Sequence, residues 1–191
     1  MKQTRSNDGP IQYEDRIRTI SHNKFKKYVL NLSKEIEKYT VENNLRIDYV
    51  VPILRSGAIP AVYIANELNL IKFAPIQVKK IKKDGKYDHI VLLNSLKDLD
   101  TKKELNLLVV EGTYSSGDTA NTALDEIKKI LPNAKILFAC VCARGEENLP
   151  KNTEKNFYGF SLPREKLFVY PWELKEQKET HPDQKLENIF Y

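Results

Sequence analysis

The residues best suited to chemistry lie in one stretch, LLVVEGTYSSGDTANTAL, residues 107 to 124. An apolar run ends in a single acid, Glu111, and a loop of small hydroxylated residues follows. Ser115, Ser116 and Thr119 offer hydroxyl donors, and Gly117 lets backbone amides approach an anion closely. The residues beyond read as a helix, whose unpaired N–H groups and dipole add to the attraction. A phosphate monoester is the natural guest, although an ordinary serine-rich helix cap needs only one of these residues. A second loop, Leu54-Arg55-Ser56-Gly57, sets a guanidinium beside flexible backbone after another apolar run. Arg55 there is either a charge-assisted phosphate or pyrophosphate contact or a surface arginine at a turn.

Both loops need elements to hold them. From Ser21, an N-cap, residues Phe25, Val29, Leu32, Ile36 and Tyr39 fall near helical spacing, which predicts an amphipathic helix over 22–43. Residues 47–54 form a nearly continuous apolar run, as in a strand covered on both faces. AIPAVYIANEL and DTANTALDEIKKIL predict helices after the two loops, and APIQVKKI, HIVLL, LNLLVVE and AKILFACV predict strands. The short runs FYGF and LFVYPW read as strands or strand-like segments. Strands alternating with helices specify an α/β domain with a mostly parallel sheet, whose ligands bind beyond the carboxyl ends of its strands. No repeat, linker or composition break divides the chain, so a single domain over 1–191 is expected.

A chain of 191 residues, 41% of them hydrophobic, suffices for a sizeable core. No apolar run nears the roughly 20 residues that span a bilayer, and MKQTRSNDGP lacks an apolar signal core. The expectation is a cytoplasmic protein with no membrane partner. Cys140 and Cys142 would share one face of a strand, a poor geometry for bridging, and no second pair exists to complete a metal site. They read as inert thiols. The net charge of +5 draws on lysine clusters such as KKIKKDGK at 79–86 and suits an anionic partner, or simply solvates the fold. Aromatic–basic alternation is absent, so nucleic acid is not expected as the primary ligand.

An apolar strand, an acid, a few variable residues and then Ser-Gly-Asp-Thr, joined to the Arg-Ser-Gly loop, resemble the type I phosphoribosyltransferases. Their signature stands here as LLVV-E-G-TYS-SGDT, and the resemblance runs from the Ser21 helix to about Glu173. The segment NFYGFSLPREKLFVYPWE resembles the base-binding end of the 6-oxopurine branch, the hypoxanthine, guanine and xanthine enzymes. The resemblance implies a central, mostly parallel five-stranded sheet flanked by helices, with a core at about 21–145. A small hood would come from the N-terminal segment and about 146–175, leaving a charged tail over 175–191. The implied reaction moves phosphoribose from 5-phosphoribosyl 1-diphosphate (PRPP) to a purine-type base and releases pyrophosphate. Mg²⁺ would accompany PRPP, and the protein would be a homo-oligomer, a dimer or tetramer.

The implied roles fall on particular residues. Ser115, Ser116, Gly117, Asp118 and Thr119 would hold the 5-phosphate. Arg55, Ser56, Gly57 and Lys80 would take the pyrophosphate, and residues 80–103 would form a loop that covers PRPP during reaction. Glu111 and Ser115 would be the catalytic positions, with Glu111 facing the ribose hydroxyls and touching the metal only indirectly. Arg144, Leu167, Phe168 and Glu173 would surround the base.

Two positions depart from the pattern. Gly112 stands where the family has a second acid, and Ser115 where the purine branch has an acid that shares the N7 proton of the base. Serine is far too weak a base to replace it. Asp118 beside a phosphate dianion is repulsive unless it turns outward. The chain is therefore either a phosphoribosyltransferase with a divergent base or mechanism, or a nucleotide- or PRPP-binding sensor, regulator or effector without efficient turnover.

Overall fold

The computed structural model describes residues 17–83, 86–100, 103–145 and 148–173. In chain order the elements are β1 (Ile17–Thr19), α1 (His22–Glu42), β2 (Tyr49–Leu54), α2 (Ala58–Glu67), β3 (Ile76–Lys83) and β4 (Lys86–Asn94). A short 3-10 turn over Ser95–Asp98 leads to β5 (Asn106–Tyr114), α3 (Asp118–Ile130), β6 (Lys135–Arg144), β7 (Lys155–Leu162) and β8 (Leu167–Val169).

The Ser21 hydroxyl accepts from the Lys24 N–H at 3.3 Å and starts α1, as its N-cap position predicts. The helix then buries Phe25, Val29, Leu32 and Ile36 along one stripe. Each such side chain contributes roughly 1.5–3 kcal/mol on leaving water, which outweighs the helix's mostly polar outer face. Strands β2, β5 and β6 are apolar at nearly every position because both of their faces are covered. Successive residues divide between the two layers. Val51, Ile53, Leu107, Val109, Ile136 and Phe138 pack with Ala123, Leu124 and Ile127 of α3. Val50, Leu108, Val110, Leu137, Ala139 and Val141 pack with α1 and α2. Cys140 and Cys142 are buried free thiols, and burial raises both well above the usual thiol range, Cys142 to about 12.

The main sheet has the order β4-β3-β2-β5-β6-β7, parallel throughout except for the antiparallel β3–β4 pair. It has six strands rather than the expected five. The FYGF run extends into a full edge strand, β7, that pairs with β6 from Leu137↔Lys155 to Arg144↔Leu162. The covering loop expected over 80–103 is instead a regular hairpin arm across most of its described residues. Buried Val78 and partly buried Val91 pack on the core at its base, and exposed Lys79 and Lys80 solvate the arm. A separate two-stranded parallel sheet joins β1 to β8, so segments near both ends of the described residues meet there.

The chain turns in opposite directions at the centre of the sheet. From β2 it crosses through α2 to β3 on one side, and from β5 through α3 to β6 on the other. Helices α2 and α3 lie on opposite faces, so a crevice opens beyond the carboxyl ends of β2 and β5. Both candidate loops emerge there.

Candidate active site

The loop after β2 runs hard against β5. A Cβ built on Gly57 would sit 2.2 Å from the Val110 carbonyl oxygen and 2.8 Å from that of Ile53, so only glycine allows this approach. The Leu54–Arg55 peptide in this loop is cis. The same crowding explains Gly112. A Cβ at that position would lie 2.9 Å from the Ser56 carbonyl oxygen and 3.0 Å from the Ser56 Cβ. Ser56 thus fills the space that a second acid after Glu111 would need.

Glu111 is buried, 4% exposed, at the carboxyl end of β5. The Ser56 hydroxyl and the Gly112 N–H, the latter at 3.0 Å, both donate to its Oε1. Burial pushes its pKa up to about 7; those two hydrogen bonds oppose the rise, and the nearby charge of Glu173 adds to it. The carboxyl therefore changes charge close to neutral pH. It reaches from the β2 loop on one side to a small cavity on the other.

That cavity, about 70 Å³, is lined by Glu111, Thr113, Tyr114, Ser115, Ser116, Gly117, Thr119 and Ala120. Gly117 adopts φ +86° just before α3, and a Cβ there would meet the Tyr114 hydroxyl oxygen at 2.4 Å. The left-handed turn wraps the loop around Tyr114, whose hydroxyl donates to the Asn148 carbonyl at 2.5 Å. Asp118 accepts a 2.8 Å bond from the Ser116 hydroxyl, so its charge is held within the loop. The loop joins the start of a thirteen-residue helix, and its hydroxyls and backbone N–H groups make a cradle the size of a phosphate.

An open cleft of about 570 Å³ adjoins it, lined by Arg55, Ser56, Lys79, Lys80, Thr119, Trp172 and Glu173 among others. Thr119 borders both spaces. The Arg55, Ser56 and Lys80 expected at a pyrophosphate are brought together here. Glu173, expected at the base, lines this cleft too, and its carboxylate accepts from the Tyr170 N–H at 3.0 Å. Arg144 turns toward the small loop: it donates to the Ser115 Oγ at 2.8 Å and to the Arg164 carbonyl. Leu167 and Phe168 border neither space. Phe168 instead packs edge-on against Phe160 and Tyr170, with ring centroids 5.0 and 4.7 Å away.

Sequence reasoning missed Tyr170. Its hydroxyl donates to the Gly112 carbonyl at 2.6 Å and accepts from Thr113 at 3.3 Å, pinning the end of β5 to the hood. Its ring stacks on Trp172 at 4.7 Å and 6°. No local motif marks such a tyrosine, because its partners lie 57 and 58 residues away in sequence. Among the described residues no group of three or more His, Cys, Asp or Glu could hold a metal ion, and no helix is long and apolar enough to cross a membrane. Another groove, about 340 Å³, lies around Arg46, Asp48, Tyr49 and Lys72, at the opposite end of β2 from these loops.

An open, mostly parallel α/β sheet with a hydroxyl- and glycine-rich loop and an arginine loop meeting at its switch point is the architecture of a phosphoribosyltransferase. The phosphoribosyl transferase domain model matches residues 21–176, and the chain belongs to that family. No curated protein sequence matches it closely enough to count. Among solved structures it is similar to a purine phosphoribosyltransferase from Pyrococcus horikoshii, with 21% identity and a TM-score of 0.65 over 82% of this chain and 94% of that one. A hypothetical protein from Neisseria gonorrhoeae with bound ppGpp has 17% identity and a TM-score of 0.65 over 87% and 97%. The xanthine-guanine-hypoxanthine phosphoribosyltransferase of Helicobacter pylori has 15% identity and a TM-score of 0.61 over 86% and 98%. At these identities the likeness speaks for the fold.

Proposed function

We propose that this protein binds PRPP across the crevice between β2 and β5 and transfers its phosphoribosyl group to a purine-type base, releasing pyrophosphate. The observation that carries the reading is Glu111, whose carboxyl borders the 5-phosphate cradle while bonded to Ser56 of the arginine loop. A ligand with a phosphate at one end and a diphosphate at the other, separated by a ribose, matches that order of groups. In this reading Ser115, Ser116, Gly117, Asp118 and Thr119 hold the 5-phosphate. Arg55, Ser56, Gly57 and Lys80 hold the pyrophosphate, and Glu111 faces the ribose hydroxyls. Leu167, Phe168 and Glu173 belong to the base end.

Clamping both ends of the substrate fixes C1 relative to the incoming base and removes the entropy cost of bringing them together. Arg55 and Lys80 stabilise the charge that builds on the departing oxygens, and an ionised Glu111 favours positive character on the ring. Mg²⁺ fits such a site through substrate oxygens, since it keeps several of its waters, and Glu111 would touch it only indirectly. When bound it would neutralise part of the pyrophosphate charge.

A second reading, a PRPP or nucleotide sensor without efficient turnover, draws on two specific observations. Ser56 occupies the room of the second acid, and Glu111 already accepts two hydrogen bonds at a pKa of about 7. Calorimetric titration with PRPP and Mg²⁺, paired with pyrophosphate release on hypoxanthine, guanine and xanthine, separates the two. Release with at least one base, abolished by Glu111→Ala, is the expected result. Tight binding without release on any base establishes the sensor instead.

A further inference from the structure

Arg144 is a half-buried cation with an incomplete set of partners. One guanidinium nitrogen donates to the Ser115 Oγ at 2.8 Å and another to the Arg164 carbonyl. Its Nε is buried and has no hydrogen-bond partner among the described residues. No carboxylate pairs with it within ion-pair distance among those residues; the carboxylate that acts on it is Glu165, at longer range. A partly desolvated guanidinium without an anion is costly unless a ligand completes it.

Its position says which ligand. Both of its bonded nitrogens go to protein oxygens, so the planar fork is already engaged and is not offered to a base edge. Ser115 accepts from Arg144, which leaves the serine's own hydrogen to be donated onward. The space it faces is the 70 Å³ cradle of hydroxyls and loop N–H groups. The loop also carries Asp118, whose negative charge would oppose a phosphate dianion. Arg144 holds a positive charge one hydrogen bond behind the loop, through Ser115.

We propose that Arg144 is a positioning residue of the phosphate cradle: through Ser115 it orients a hydroxyl donor toward a phosphate monoester. This moves Arg144 from the base end to the phosphate end, and it rests on the phosphate reading of the cradle given above.

The test is calorimetric titration of the full chain with ribose 5-phosphate and, separately, with guanine. Arg144→Ala should weaken ribose 5-phosphate roughly 10-fold or more, the scale of a lost charge-assisted bond, and leave guanine unchanged. Arg144→Lys, which keeps the charge, should recover part of the loss. In a double-mutant cycle Ser115→Ala should remove most of the effect of Arg144→Ala, because the arginine acts through that hydroxyl. Unchanged ribose 5-phosphate affinity in Arg144→Ala overturns the inference, as does a loss confined to guanine or full additivity with Ser115→Ala. If the wild-type protein binds no ribose 5-phosphate, the phosphate reading of the cradle fails first and this inference falls with it.

Discussion

Replacing Glu111 by glutamine should change how the protein's stability depends on pH. Burial raises the folded-state pKa of Glu111 to about 7, against an ordinary value of 4.5 for the unfolded chain. Below 4.5 the acid is neutral in both states and its contribution to stability is fully present. As pH rises from 4.5 to 7 the unfolded chain ionises while the folded protein keeps its proton, so stability falls. Above about 7 both states are charged and the loss is complete. The 2.5-unit gap, at about 1.4 kcal/mol per unit, makes that loss on the order of 3 kcal/mol. Glu111→Gln keeps the size and cannot titrate, so relative to wild type it should gain on the order of 3 kcal/mol between pH 4.5 and 8. In a chain of this length that is roughly 6–12 °C in the difference of melting temperatures. Urea denaturation of both proteins at half-unit pH steps measures it. Parallel curves, with a constant difference across the range, would refute the burial of this carboxyl and the reasoning built on it.

The remaining predictions concern the loop backbone and the hood. Gly117→Ala forces a side chain into a φ of +86° and against the Tyr114 hydroxyl, so it should cost about 1–3 kcal/mol by chemical denaturation and weaken ribose 5-phosphate binding. Gly112→Asp restores the second acid against the Ser56 carbonyl; the loop must move, costing roughly 1–3 kcal/mol, and the added charge should raise the Glu111 titration seen by NMR. Tyr170→Phe leaves the Gly112 carbonyl without its 2.6 Å donor and should cost about 1–3 kcal/mol, measured as a fall in the urea midpoint.

The fold was readable wherever burial leaves a period in the sequence. The Phe25–Ile36 stripe and the apolar runs of β2, β5 and β6 mark their elements because core contacts select those residues. The sixth strand was under-read because β7 begins Lys155-Asn156 and carries polar residues along an exposed edge. At three residues, β1 has too little pattern to register, and its pairing with β8 spans nearly the whole described chain. In the site, the hydroxyl-rich loop at 115–119 and the Arg55 loop are legible because glycine and hydroxyl residues cluster in a few positions. Their mutual packing was not. Gly112 looked like a missing acid, and only the Ser56 backbone shows why no side chain fits there. The Arg144–Ser115 bond joins residues 29 apart, a distance that carries no local signal.

The central claim is that the cradle at residues 115–119 is the phosphate end of a phosphoribosyl site. A crystal structure of the protein with ribose 5-phosphate tests it most directly. The phosphate is expected within hydrogen-bonding distance of the Ser115, Ser116 and Thr119 hydroxyls, with the ribose turned toward Glu111. A phosphate bound elsewhere, for example in the groove between Arg46 and Lys72, with the cradle left to solvent, would contradict it.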